Sequence, residues 1–308
     1  MTIAMAVTIT ATTVAMVTRT KTRRSSMRNN DKGSASKSLA LKVTTLAIVG
    51  SISLIGPYLY QEEERRRTTE QSSNSADQFD DLTVASSAPN FAAIKDVNEK
   101  KDAFFSFLRP SIKIENKRIT KERAFLTKLS ESGLSNIDSE DISYAKRLGK
   151  LYSLPVPSTG IEQTWLAEML NRVNVLPEAL VLTQAANESA WGTSRFATKA
   201  NNYFGHWCYS KGCGLVPLQR NEGSSHEVAT FSSSQESVHR YFMNLNRNRA
   251  YADLRAIRAQ LAANGNDLLT KETATELTNG LLKYSERGSD YVTDLQAMIR
   301  HNKVYWEK

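Results

Sequence analysis

LTQAANESAWGT, residues 182–193, contains a single carboxylate, Glu188, at the end of an apolar run. The pattern predicts a helix that begins near Pro177, because a proline ring suits the first helical turn. Gly192 is the residue type that most often ends a helix. The stretch therefore places one acidic side chain in the last turn of a mostly apolar helix.

The position of Glu188 suggests a chemical role. At 100° per residue, Glu188 shares one helix face with Val181, Gln184 and Ala185. Partial burial on that face and the negative end of the helix dipole both disfavour a charged carboxylate. A general acid must hold a proton at neutral pH, so Glu188 is a candidate proton donor. On this pattern alone, an exposed structural glutamate is the slightly favoured interpretation.

The charge balance narrows the class of partner. The 308-residue chain has 40 Lys+Arg against 32 Asp+Glu, which gives a net charge of +8. A basic surface suits nucleic acid, anionic lipid headgroups or an anionic polymer. The sequence has no RNP-like motif, zinc-ligand spacing or basic recognition helix, so we predict no nucleic-acid partner.

VTTLAIVGSISLIGPYLY, residues 43–60, is an uncharged apolar run. Its length matches the shortest helix that spans a bilayer, roughly 18 residues. Residues 1–42 form a basic arm in which Asp31 is the only acid, so we predict a cytoplasmic N-terminus. No small-residue cleavage site follows the run. We therefore predict an uncleaved single-pass anchor in an inner membrane, with Met27 as an alternative start.

The remaining chain divides into three predicted segments. Residues 61–90 are rich in Ser, Thr, Asp, Glu and Gln, a composition that predicts a flexible linker. Residues 91–155 form a predicted helical extension, in which we expect Pro110 to end or restart a helix. Residues 156–308 form the predicted main domain.

Residues 201–231 are rich in Gly, Ser and Asn and predict a small β-lobe or a long loop. Cys208 and Cys213 are the only two cysteines. Outside the cytoplasm, such a closely spaced pair can close a small loop as a disulfide. A metal site is the rival interpretation, but His206 is the only nearby additional ligand, so we predict no metal.

Five motifs carry a resemblance to a known family: QAANESAWGTSRFA, NNYFGHWC…GCGLVP, HEVATF, SVHRYFMNLNRNRAYADLR and YSERGSDYV. Over residues 103–304 the chain resembles Bax-type proteins of Gram-negative bacteria, in the glucosaminidase domain family (glycoside hydrolase family 73). The resemblance implies a mainly α (α+β) fold, with a lysozyme-like helical domain and a small β-lobe flanking a cleft. It implies peptidoglycan as substrate, cut at the β-1,4 bond after N-acetylglucosamine, and no cofactor.

The resemblance also implies roles for individual residues. Glu188 matches the general acid, and Tyr251 resembles a cleft tyrosine that orients substrate or water. Two residues are candidates for the second catalytic carboxylate. Glu222 is slightly preferred because it lies at a loop tip, whereas the pattern favours a structural role for Glu227. A substrate-assisted route, in which the acetamido group of the sugar attacks, would need neither of these carboxylates. The predicted substrate-binding residues are Gln184, Ser189, Trp191, Asn202, Phe204, Gly205 and Phe231.

The resemblance and the charge pattern together imply a membrane-tethered peptidoglycan hydrolase whose catalytic domain is periplasmic. Two alternatives stay open. A lytic transglycosylase also uses one glutamate at a helix end, and leaves an anhydro sugar rather than a reducing sugar. A protein that binds peptidoglycan without cleaving it is the second alternative. The sequence identifies no protein partner.

Overall fold

The computed structural model describes residues 84–134, 136–218 and 226–307. The predicted basic arm, the predicted anchor at residues 43–60 and most of the predicted linker lie outside the described residues, and so does Glu222. Among the residues that are described, no helix has both the length and the apolar character that a membrane crossing needs. The topology expected of the N-terminal arm and anchor stays a prediction.

Nine α-helices and three short strands form most of the described chain. The helices are α1 Val97–Ser132, α2 Ser139–Leu151, α3 Gln163–Arg172, α4 Glu178–Ser189, α5 Arg195–Ala200, α6 Ser234–Arg247, α7 Ala252–Ala263, α8 Lys271–Leu277 and α9 Ser289–His301. The strands are β1 Trp207–Cys208, β2 Gly214–Leu215 and β3 Glu227–Ala229, and short 3-10 turns cover Arg249–Tyr251, Thr278–Leu281 and Lys303–Tyr305. The mainly helical fold class is confirmed, and its likeness to lysozyme stays a prediction.

Helix α1 is the longest element and runs through a proline. Its N-terminus is capped by Asp96, whose Oδ1 accepts a hydrogen bond from the Glu99 amide at 2.8 Å. Pro110 lies inside the helix, so the prediction that it ends or restarts a helix is wrong. A proline inside a helix costs about 3 kcal/mol. Burial of apolar neighbours such as Leu108 and Ile112 offsets that cost.

Helix α4 lies at the centre of the fold. Residues 179–186 are all buried, and the helix packs against α1, α8 and α9. A helix apolar on nearly all faces is stable only when other elements surround it. Phe104 of α1 and Leu148 of α2 belong to the same hydrophobic core as Leu182 of α4. Described residues on both sides of position 155 thus share one core, and the domain boundary predicted there stays a prediction.

A small antiparallel sheet forms a lobe beside the helices, with strand order β1-β3-β2. Trp207 and Leu215 flank Val228 on its two sides. A disulfide joins Cys208 and Cys213, as their spacing in the sequence predicts. Because the two sulfurs are bonded to each other, they cannot act as metal ligands. We call residues 206–218 and 226–229 the β-lobe.

Candidate active site

Glu188 lies in the last turn of α4 and is half-buried. The helix ends at Ser189 rather than at Gly192, because Ala190 adopts a left-handed conformation with φ 50°. The Ser189 hydroxyl accepts a hydrogen bond from the Gly192 amide at 2.9 Å and holds this tight turn. Trp191 is also left-handed, at φ 57°. Such backbone strain is tolerated where surrounding structure holds it, often at functional sites.

A chain of hydrogen bonds reaches one oxygen of Glu188. The Tyr291 hydroxyl donates to Glu188 Oε1 at 2.8 Å. Gln184 Nε2 donates to the Tyr291 hydroxyl at 2.8 Å, and the Tyr241 hydroxyl donates to Gln184 Oε1. Asn187 Nδ2 also donates to Glu188 Oε1, at 3.1 Å. The interior of the protein therefore orients this carboxyl group.

Four tyrosines surround this carboxylate, and we call them the tyrosine cluster: Tyr241, Tyr251, Tyr284 and Tyr291. The rings of Tyr284 and Tyr291 are parallel, with centroids 5.8 Å apart, and the Tyr251 ring lies 5.8 Å from that of Tyr284. The Tyr284 hydroxyl donates to the Phe204 carbonyl at 3.0 Å. The cluster joins α6, the turn before α7, the segment before α9 and α9 itself around the end of α4.

The tyrosine cluster stays protonated at ordinary pH. Burial raises the pKa of all four hydroxyls above the usual value, and the negative charge of Glu188 raises them further. For Tyr251, a hydrogen bond from Asn244 partly opposes this rise in pKa. The four hydroxyls are therefore available as hydrogen-bond donors beside the carboxylate.

The other oxygen of Glu188 faces the chain that leads into the β-lobe. A Cβ atom at Gly205 would lie 3.7 Å from Glu188 Oε2. Gly205 is exposed and has φ 68°, a conformation that costs other residues about 1 kcal/mol or more. Of the predicted substrate-binding residues, Gly205 thus lies beside the carboxylate. Tyr251, predicted as the cleft tyrosine, lies in the cluster and is 7% exposed.

Three predicted substrate-binding residues are buried in the protein. Gln184 holds the hydroxyls of Tyr241 and Tyr291, and Ser189 holds the turn after α4. Asn202 donates to the carbonyls of residues 206 and 229, each at 2.9 Å. Direct contact with a ligand would require exposed side chains, whereas these three are at most 1% exposed. They support the site from within.

The predicted aromatic residues also pack against protein. Trp191 is half-buried, and its ring lies 5.3 Å from the ring of Phe105. Phe204 is buried and stacks on Tyr241 at 4.2 Å. Phe231 is 5% exposed, and its ring lies 6.1 Å from that of His206. These side chains hold the chain around Glu188 through packing.

Both carboxylate oxygens of Glu227 accept hydrogen bonds within the β-lobe. Its Oε1 accepts from the Gly212 amide at 3.0 Å, and its Oε2 accepts from the Gly214 amide at 2.9 Å. The side chain belongs to the central strand and is 6% exposed. This arrangement agrees with the structural role that the pattern favoured. Glu222, the other predicted second acid, lies outside the described residues.

Sequence reasoning missed Tyr241, Tyr284 and Tyr291 as parts of the site. Aromatic residues in helices are core by default, and Tyr241 and Tyr291 are indeed buried. A usable signal was present, because a buried tyrosine needs a partner for its hydroxyl whereas phenylalanine does not. The partner of Tyr291, 103 positions away along the chain, could not be read from local periodicity.

Comparison with known proteins places this site inside a recognised region. Residues 164–304 match the family described as "Glucosaminidase: Mannosyl-glycoprotein endo-beta-N-acetylglucosaminidase". The chain is similar to Protein bax of Escherichia coli (strain K12), with 32% identity over 219 residues, which cover 71% of this chain and 76% of the relative. No solved structure matches the chain. Glu188 and the whole tyrosine cluster fall within the matched residues.

Proposed function

Since the chain belongs to the Bax-type glucosaminidase-domain family, we propose that it is a peptidoglycan hydrolase that cleaves the β-1,4 bond after N-acetylglucosamine. The observation that carries this proposal is the environment of Glu188. One carboxyl oxygen is oriented by the Tyr291 hydroxyl at 2.8 Å, and the other lies toward exposed Gly205. The group is held from inside and open on one side, as a proton donor must be.

In the proposed reaction, the protonated Glu188 gives its proton to the glycosidic oxygen as the bond to the anomeric carbon breaks. The carboxylate that forms carries a full negative charge. The hydrogen bond from Tyr291 strengthens as that charge develops, because bonds to ionised acceptors are stronger than neutral ones. Tyr291 therefore stabilises the transition state more than the ground state. Water then adds to the anomeric carbon and completes hydrolysis, and the proton that it loses passes to the base that activates it or to the Glu188 carboxylate, so that Glu188 is protonated again for the next cycle.

Glu188→Gln tests the assignment, because glutamine keeps the size of the side chain and cannot donate a carboxyl proton. We expect the variant to release no soluble fragments from purified sacculi. Glu131→Gln is a matched control, since Glu131 also lies in the last turn of a helix, α1, and is exposed. Wild-type digestion by Glu188→Gln would contradict the proposal.

Two possible mechanisms differ in the group that acts together with Glu188. Glu227 already binds two backbone amides, which supports either Glu222 as the base that activates water or the acetamido group of the sugar as the nucleophile that attacks the anomeric carbon first. Glu222→Gln abolishes hydrolysis in the first case. In the second case the variant stays active, and an oxazoline-type inhibitor that mimics the acetamido intermediate blocks the enzyme.

A single acid held at a helix end also supports the lytic transglycosylase alternative. There, an internal hydroxyl of the sugar rather than water attacks the anomeric carbon. Mass spectrometry of digested sacculi separates the two reactions. N-acetylglucosamine at a reducing end supports the hydrolase, and an anhydro-muramic product supports the transglycosylase. Glycan binding without any soluble product would support the non-catalytic alternative.

We propose further that the catalytic domain is periplasmic and is tethered to the inner membrane by residues 43–60. The charge asymmetry around that run supports this orientation. The disulfide supports an oxidising compartment. The test is fractionation followed by protease treatment of spheroplasts. The domain should be in the membrane fraction and be digested in intact spheroplasts, and its recovery in the cytosolic fraction would refute the proposal.

A further inference from the structure

The β-lobe exposes large apolar side chains. Trp207 is 56% exposed and Tyr209 is 73% exposed, and Val216 and Leu218 are also exposed. A group of exposed apolar side chains commonly marks a binding surface, and Trp207 and Tyr209 are separated by a single residue. We propose that Trp207 and Tyr209 form an aromatic platform that binds a sugar ring of the glycan strand beside the cleaved bond. This inference rests on the proposed function and adds a substrate contact to it.

The platform is held rigidly. The disulfide between Cys208 and Cys213 closes the short loop that contains Tyr209. Glu227 bonds the amides of Gly212 and Gly214 and ties the same loop to the central strand. A disulfide and a buried carboxylate therefore hold a loop that is itself mostly exposed. Rigid aromatic side chains lose little conformational entropy when they bind a ligand.

One face of Trp207 is already supported. The His226 ring stacks on Trp207 with centroids 4.1 Å apart and an interplanar angle of 14°. The side chain is nevertheless 56% exposed, so a large part of the indole is accessible to a ligand. Tyr209 lies two positions further along. Tyr209 is in the disulfide loop directly after strand β1, and two residues of chain span at most about 7 Å, so the backbone positions of Trp207 and Tyr209 are close together.

The platform lies close to the candidate active site along the chain. Gly205 adjoins the Glu188 carboxylate, with only 3.7 Å between the position of its missing Cβ and Oε2. Trp207 follows two residues later, and two residues of chain span at most about 7 Å. A glycan strand whose scissile oxygen lies at Glu188 would therefore place a neighbouring sugar over the lobe.

The flat, apolar indole of the platform suits a carbohydrate ligand. A β-linked pyranose ring has an apolar C–H face and a rim of hydroxyl groups. A flat indole buries that apolar face, and the rim stays hydrated or bonds to polar neighbours. Peptidoglycan presents such rings in series, as alternating β-1,4-linked amino sugars. We therefore assign a hexosamine ring to the platform rather than a lipid chain.

Binding is measured in the Glu188→Gln background, so that no cleavage disturbs the equilibrium. The probe is a soluble oligosaccharide of β-1,4-linked N-acetylglucosamine, titrated by isothermal calorimetry. We expect Trp207→Ala and Tyr209→Ala each to weaken binding by about tenfold, as for an aromatic anchor residue at an interface. Leu269→Ala is the matched control, since Leu269 is 50% exposed elsewhere on the surface. Thermal unfolding of each variant verifies that it is folded.

In the active enzyme, the same substitutions should raise KM on sacculi and leave kcat nearly unchanged, because the platform contacts no reacting atom. Unchanged affinity and KM in both folded variants would overturn the inference, even if Glu188→Gln remains inactive and the proposed function stands. Conversely, an active Glu188→Gln removes the proposed function, while loss of binding in Trp207→Ala would still support the platform.

A membrane surface is the alternative occupant, because Leu218 and Val216 of the β-lobe are also exposed. Co-sedimentation with phosphatidylethanolamine–phosphatidylglycerol vesicles tests it on the same variants. Vesicle binding that Trp207→Ala abolishes, together with unchanged oligosaccharide affinity, would overturn the inference in favour of lipid. Oligosaccharide binding that depends on Trp207, without vesicle binding, supports it.

Discussion

Replacing Tyr291 with phenylalanine removes one oxygen atom and two hydrogen bonds. The hydroxyl donates to Glu188 Oε1 at 2.8 Å and accepts from Gln184 Nε2 at 2.8 Å. The ring and its parallel contact with Tyr284 remain. Because the shape of the core is kept, the substitution isolates the hydrogen bonds.

The two lost bonds affect different measurements. Gln184 is fully buried, so its Nε2 group is left without an acceptor, at a cost to the free energy of unfolding of about 2 kcal/mol. A hydrogen bond to a charged group contributes about 1.5–3 kcal/mol. If the Tyr291 bond reaches that strength only as Glu188 ionises, its loss lowers kcat by about 10- to 100-fold. KM should change little, since ground-state binding is not involved.

Urea denaturation measures the stability change, and initial rates of sacculus digestion measure kcat. Tyr284→Phe is the matched control, because its hydroxyl bonds only to the Phe204 carbonyl among the contacts described above. The control should lose about 1 kcal/mol of stability and keep most of its kcat. A kcat for Tyr291→Phe within about twofold of wild type would refute the role assigned to this bond.

Three further predictions address the surroundings of the carboxylate. Gly205→Ala places a methyl group 3.7 Å from Glu188 Oε2 and should lower activity. Gly265→Ala, with a similar φ of 77° and open space around it, should share only the stability loss of about 1 kcal/mol, and equal activity of the two variants would contradict this. Burial, with a smaller effect of Arg240, lowers the pKa of His206 to about 4 from 6.5. The unfolded chain therefore takes up a proton that the folded protein does not, and stability should fall by up to about 3 kcal/mol as pH drops from about 6.5 to about 4. His206→Phe should reduce this pH-dependent loss of the free energy of unfolding, which urea titration at each pH measures. An equal loss in the variant would show that other groups cause it. Reducing the disulfide should lower the free energy of unfolding by about 2 kcal/mol, the loop-closure value for a ring of this size, and an unchanged unfolding midpoint in reductant would contradict that.

Several features of the fold could be predicted because they depend on neighbours along the chain. The apolar run around Leu182 predicted the central helix, and the polar, glycine-rich composition after Asn201 predicted the small lobe. The disulfide was predictable because its two cysteines are only five positions apart. The wrong prediction at Pro110 also has a local cause. Helix α1 continues through Pro110 since burial on both sides outweighs the lost hydrogen bond.

The sequence by itself determined that one carboxylate ends an apolar helix, beside a lobe closed by a disulfide. Only the tertiary structure decided what that carboxylate touches. Tyr291 reaches Glu188 from 103 positions away, and Tyr241 reaches Gln184 from 57 positions away. Periodicity indicates which side chains are buried, but the partner of a buried hydroxyl depends on how separate helices pack. For that reason the acid was visible in the sequence, whereas the tyrosine cluster that orients it was not.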